Sequence, residues 1–241
     1  MTTIAPSPTS ASRRARRRPR LRGSGWLPVM GLLVLSLVPI AAGAFRFTEL
    51  TTGATVTADN ARFFASPIPI VTHIVGSSVF LVLGAFQFVP SLRRHRWHRY
   101  AGRVLLPAGL ASALSGIWMA FGADLPASNG TALLVMRVGF GTAMVAGLVI
   151  AFVAVRRGDI PTHRAWMLRA YAIGMGAGTQ VLTFLPWTIA FGAPDVATHA
   201  VLMGAGWVIN LAVAEVVIRR GRRDRGARPA RRRTAAPIMS A

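Results

Sequence analysis

The chain has no cysteine, no lysine, only two tyrosines and only seven acidic residues among 241. Without Cys there are no thiolate metal sites, Cys nucleophiles, iron–sulfur clusters or disulfides. Without Lys there is no Schiff-base chemistry, and Arg cannot replace it because the guanidinium stays charged. The skew from Lys to Arg fits codon bias in a GC-rich genome. Seven acids, mostly in loops, leave little for paired-carboxylate catalysis. No P-loop, no Gly-rich dinucleotide turn after a strand, no H-E-x-x-H and no G-x-S-x-G elbow occurs. What remains is 28 Arg, a net charge of +21 and a chain that is 53% hydrophobic, with a mean hydropathy of +0.48. Strong positive charge points to nucleic acid or an anionic membrane. A nucleic-acid binder is rarely so apolar. Both properties fit if the apolar mass lies in lipid and the Arg at its edges, which disfavours a soluble enzyme and a disordered chain.

A membrane-spanning helix needs about 20 apolar residues. Six stretches qualify: Trp26–Phe45, Ile68–Val89, Ala101–Phe121, Thr131–Val155, Ala165–Phe191 and His199–Ile218. None alternates with period two. The expected fold is therefore all-α, a polytopic bundle of six transmembrane helices over residues 26–218. Residues 1–25 and 219–241 read as disordered Arg-rich tails. With both termini cytoplasmic, 25 of the 28 Arg fall on the cytoplasmic side, and only Arg46, Arg62 and Arg137 fall outside. That agrees with the positive-inside rule at every loop. A cleaved secretory signal ending near Ala42-Gly43-Ala44 is a rival. It would leave five spans, and the strongly basic C-tail would then demand an outside N-terminus.

Polar residues inside spans mark function or helix–helix contact. On the second span His73, Gly76, Ser77, Phe80, Gly84 and Gln87 share one face. The third repeats Gly102, Gly109 and Gly116, a packing face. On the fifth, Arg169, Ile173, Gly176, Gln180, Thr183 and Trp187 form a stripe too polar for lipid. The sixth carries His199, Met203, Gly206 and Asn210, with Glu215 near the inner end. Arg169 and Glu215 lie at similar depth and are expected to form a structural ion pair. Arg137 has Asp124 or Asp195 as its expected partner, or snorkels. The run from Arg93 to Tyr100 reads first as a topology signal that meets anionic lipid head groups, although its His, Trp and Tyr exceed what topology needs.

Four ordered motifs follow: His73 with Gly76 and Gly84-x-x-Gln87-Phe88; Leu92-Arg93-x-His95-Arg96-x-His98-Arg99-x-x-Gly102-Arg103; Arg156-x-Gly158-Asp159-x-x-x-His163-Arg164-x-Trp166-Met167-x-Arg169-x-Tyr171-Ala172; and Trp207-x-x-Asn210-Leu211-x-x-Ala214-Glu215. Together, over about Ile68 to Ile218, they resemble a bacterial family of predicted membrane proteins, domain of unknown function two-three-zero-six. The resemblance implies an integral membrane protein and supplies no activity, substrate or catalytic residue. The chain departs from that pattern at Gln180, where the family often carries Arg, and His199 lies outside it.

Three functions compete. The first is transmembrane electron transfer through haem b or a quinone. It makes the protein a membrane redox protein rather than a classical enzyme. His73 and His199 lie near the outer face on different helices, as a bis-His haem iron site requires. His98 and His163 lie near the inner face, with Arg103 and Arg169 as propionate or anion partners. The second is transport of a small anion or lipid along the fifth-span stripe. The third is a non-catalytic membrane anchor or assembly protein. The expected location is the bacterial cytoplasmic membrane, as a multi-pass protein. Electron transfer is the leading expectation, because neither transport nor anchoring requires His at both faces.

Overall fold

The computed structural model describes residues 26–58, 60–122 and 130–233. Among them there is no strand. The elements are α1 (Trp26–Thr52), a short α2 (Ala61–Ala65), α3 (Pro67–Phe86), a 3₁₀ turn at Leu92–Arg94, α4 (Arg96–Ala120), α5 (Thr131–Arg156), α6 (Ile160–Gly174), α7 (Gly176–Phe191) and α8 (Val196–Arg233). Five of these, α1, α3, α4, α5 and α8, are long and apolar enough to cross a membrane. Helices α6 and α7 together cover the fifth apolar stretch and are interrupted only at Met175. The Met175 amide still bonds the Tyr171 carbonyl at 2.9 Å, but the Gly178 amide reaches back only three residues, to Met175. A Gly on either side lowers the local cost of that change in pitch.

The helices begin and end differently from the apolar runs. Helix α1 continues to Thr52, seven residues past Phe45, and α4 starts at Arg96 rather than Ala101. Helix α8 continues to Arg233, through much of the segment read as a disordered tail. Apolarity reports only the part in lipid, whereas Arg and Ala are good helix formers beyond it. The expected tail residues 1–25 and 234–241 lie outside the described residues. The loop turn at Gly158 has φ 74°, a left-handed conformation that favours Gly. It delivers Asp159 as the N-cap of α6, accepting from the Thr162 amide at 3.1 Å. Asp195 does the same for α8, accepting from the Thr198 amide at 2.7 Å.

Adjacent helices pack as antiparallel hairpins: α3 on α4, α4 on α5, α5 on α6, and α7 on α8, while α1 leans on α3 and α7. The core gathers Phe80, Leu81, Leu105, Met144, Leu148, Tyr171 and Met175. Small residues set the spacing, as expected where lipid supplies no hydrophobic drive between helices. A Cβ at Gly76 would come within 2.8 Å of the Ala108 carbonyl oxygen, and one at Gly84 would overlap the Tyr171 ring. The large side chains that point away from the core, among them Leu27, Val34, Trp118, Ile189 and Val201, are exposed. An outer surface so apolar is soluble only in lipid.

Candidate functional site

Several polar side chains of the spans bond a neighbouring helix. The His73 Nδ1–H on α3 donates to the Ser112 carbonyl of α4 at 2.8 Å. The His163 Nδ1–H on α6 donates to the Ala151 carbonyl of α5 at 2.9 Å. A carbonyl only accepts, so each imidazole carries its proton on Nδ1. The Tyr171 hydroxyl donates to the Leu81 carbonyl at 2.9 Å, tying α6 to α3. Between α7 and α8, the Thr179 hydroxyl donates to Asn210 Oδ1 at 2.7 Å, Gln180 Nε2 to the Met203 carbonyl at 3.0 Å, and the Thr183 hydroxyl to the Leu202 carbonyl at 2.9 Å. Asn210 Nδ2 also donates to the Ala172 carbonyl at 3.1 Å. The stripe that looked too polar for lipid is thus an inter-helix hydrogen-bond seam.

Arg169 and Glu215 meet, Nε to Oε1 at 2.5 Å, linking α6 to α8. The guanidinium also lies over the Trp166 ring, 4.7 Å from its centroid. Arg103 instead stacks on Tyr100, one turn earlier in the same helix, at 5.5 Å. His199 packs edge-on to Phe184 of α7, with ring centroids 5.0 Å apart. Arg137 lies within electrostatic range of Arg62 and His199. Asp195, one of its two expected partners, has its carboxylate on the α8 cap, and Asp124 lies outside the described residues. Hydrogen bonds from Thr198 hold the Asp195 carboxyl below its ordinary value, and those from Thr162 do the same for Asp159.

His73 and His199 have different neighbours. His73 lies against Gly116 of α4, whereas His199 lies against α7. Helix α3 packs on α4, α1 and α6, and α8 on α7, α6 and α5. With its Nδ1–H on the Ser112 carbonyl, His73 keeps the lone pair on Nε2. Among the described residues no group of three or more His, Asp or Glu gathers as a metal site.

The end where α3 finishes and α4 and α6 begin is different. Arg93 turns back to cap α3, donating from Nε to the Gln87 carbonyl and from Nη2 to the Phe88 carbonyl, both at 3.0 Å. Burial, and then the nearby Arg164 charge, pull its guanidinium below the ordinary value. His98 lies within electrostatic range of both Arg93 and His163. The Gln87 side-chain oxygen and nitrogen and the His98 Nδ1 are buried without a hydrogen-bond partner. Next to this cluster a small crevice opens between α6 and α8. Arg164 and Arg222 sit among Ala165, Leu168, Val217 and Ile218 along it. Sequence reading named His98, His163 and Gln87 but missed the crevice, because Arg222 lay in the presumed disordered tail.

This is a helical, lipid-facing chain whose ordered motifs all lie between α3 and α8. A family model described as predicted membrane protein (DUF2306) matches residues 70–218. The chain belongs to the DUF2306 family. No curated protein and no solved structure matches it. The family match begins inside α3 and ends before Arg219, so α1 and the Arg-rich C-terminal segment lie outside it, whereas His73, Gln87, Arg93, His98, His163 and Arg169 of this DUF2306 chain lie within it.

Proposed function

We propose that this is a six-span protein of the bacterial cytoplasmic membrane, with α6 and α7 crossing as one broken helix and both termini in the cytoplasm. In this reading it is a membrane scaffold that binds anionic phospholipid head groups at its Arg-rich end. One observation carries the reading. His73, His163, Tyr171, Gln180, Thr183 and Asn210 bond a neighbouring helix, whereas Arg93, Arg164 and Arg222 gather at one end, beside an apolar crevice. A phosphate on Arg164 and Arg222 with an acyl chain along Leu168 and Val217 would match both the charge and the apolarity of that crevice. Electron transfer through haem b or a quinone, the leading expectation from sequence, is not supported. Its outer ligand pair packs against different helices, His73 of α3 on α4 and His199 of α8 on α7, and Arg103, expected to serve a propionate, stacks on Tyr100. Transport along α7 loses support because Gln180 and Thr183 are bound to α8.

The test is native mass spectrometry of delipidated protein titrated with phosphatidylglycerol and phosphatidylcholine. Wild type should retain phosphatidylglycerol preferentially, and Arg222→Gln should lose that preference several-fold. Equal retention of the two lipids by wild type would refute the reading. A Soret band in the purified protein would restore the haem alternative.

A further inference from the structure

We infer that the end of α3 and the start of α4 form a second, distinct binding site for a phosphate that carries a hydroxyl, built from Gln87, Arg93 and His98. Two independent observations point to it. First, buried polar atoms in folded proteins almost always have partners, and each exception asks for a cause. Here three such atoms occur on two residues next to Arg93: both polar atoms of the Gln87 amide, whose backbone carbonyl Arg93 caps, and Nδ1 of His98, which lies within electrostatic range of Arg93. Leaving a buried polar group unpaired costs about 1–3 kcal/mol. Second, Arg93 and Arg164 repel each other here, with His98 and His163 beside them. The nearest acid in sequence, Asp159, is engaged by the α6 N-terminus. Among the described residues no ion pair neutralises this cluster.

The donor and acceptor inventory narrows the ligand. Arg93 uses two of its five N–H groups on the Gln87 and Phe88 carbonyls and has the others free for an oxyanion. Gln87 Nε2 needs an acceptor, whereas Gln87 Oε1 needs a donor. A fully ionised oxyanion such as sulfate supplies acceptors only. Hydrogen phosphate, a phosphomonoester or the glycerol-bearing phosphate of phosphatidylglycerol supplies both. Aromatic walls flank these residues in sequence: Phe88, after Gln87, with its ring centroid 5.1 Å from that of Tyr171, and Trp97, before His98, packed edge-on to Phe86. Such walls lower the local dielectric and strengthen charge-assisted hydrogen bonds.

The experiment measures thermal unfolding of the purified full chain in detergent with sodium phosphate, sodium sulfate or sodium chloride at matched ionic strength. A second arm uses nanodiscs with or without phosphatidylglycerol. Phosphate should raise the midpoint above chloride and above sulfate. Gln87→Leu should weaken apparent phosphate affinity at least tenfold, and so should His98→Phe. Without ligand, Gln87→Leu should unfold no earlier than wild type, because it removes two orphaned dipoles. If the source is lipid, phosphatidylglycerol nanodiscs should give the rise and added phosphate nothing more. If the source is soluble, phosphate should act equally in both kinds of nanodisc. Unchanged stabilisation in Gln87→Leu, or no stabilisation by either probe, would overturn the site. Arg222→Gln should leave this response intact, so failure here is separable from failure at the crevice.

Discussion

Arg169 and Glu215 illustrate what a single residue does at the membrane edge. Their side chains are 27% and 34% exposed, so the pair is neither fully buried nor freely solvated. Removing one partner should cost roughly 1–3 kcal/mol, between an exposed pair and a broken buried one. Glu215→Gln should therefore unfold several degrees earlier in detergent, and adding Arg169→Gln should cost little more. Additive losses in the double variant would show that the two do not act as a pair. The helix caps give a pH dependence. The folded-state value of Asp195 is depressed by its bonds from Thr198. Its contribution is fully present above the unfolded value of about 3.9 and fades as pH falls through the lower folded value. Asp195→Asn should keep the cap yet flatten the fall in unfolding midpoint between pH 6 and pH 3. An equally steep fall in that variant would assign the acid sensitivity elsewhere.

At the scale of elements, small residues decide how closely helices approach, and not every Gly matters. A Cβ at Gly84 would overlap Tyr171, whereas one at Gly102 meets nothing within 4 Å. Gly84→Ala should destabilise by about 1–3 kcal/mol through overpacking. Gly102→Ala should be neutral or stabilise by up to about 1 kcal/mol through helix propensity. Equal unfolding midpoints for the two variants would contradict this assignment of the α3–α6 interface. The sequence contained both Gly positions in a plausible packing face but could not separate them, because clearance depends on the partner helix. Similarly, the depths of Arg169 and Glu215 follow from counting residues along their spans. That Gln180 would bond α8 rather than line a route depended on which face α7 presents to it. The break at Met175 was also hidden, since the apolar run through Gly174 and Gly176 is continuous.

At the scale of the whole molecule, charge and apolarity separate by position. Hydropathy marks the helices long and apolar enough to cross a membrane because lipid imposes length and composition together. It could not place helix ends or the Arg-lined crevice, since neither depends on apolarity alone. Orientation underlies every statement about cytoplasmic lipid, and the absence of Cys makes it directly measurable. Single Cys residues introduced at Val56, Ser91, Arg157 and Val196 can be probed in intact spheroplasts with a membrane-impermeant maleimide. Six spans with the Arg-rich end inside predict labelling at Val56→Cys and Val196→Cys, and none at Ser91→Cys and Arg157→Cys until the membrane is lysed. Labelling of Ser91→Cys in intact cells, or the same behaviour for Arg157→Cys and Val196→Cys, would contradict that topology.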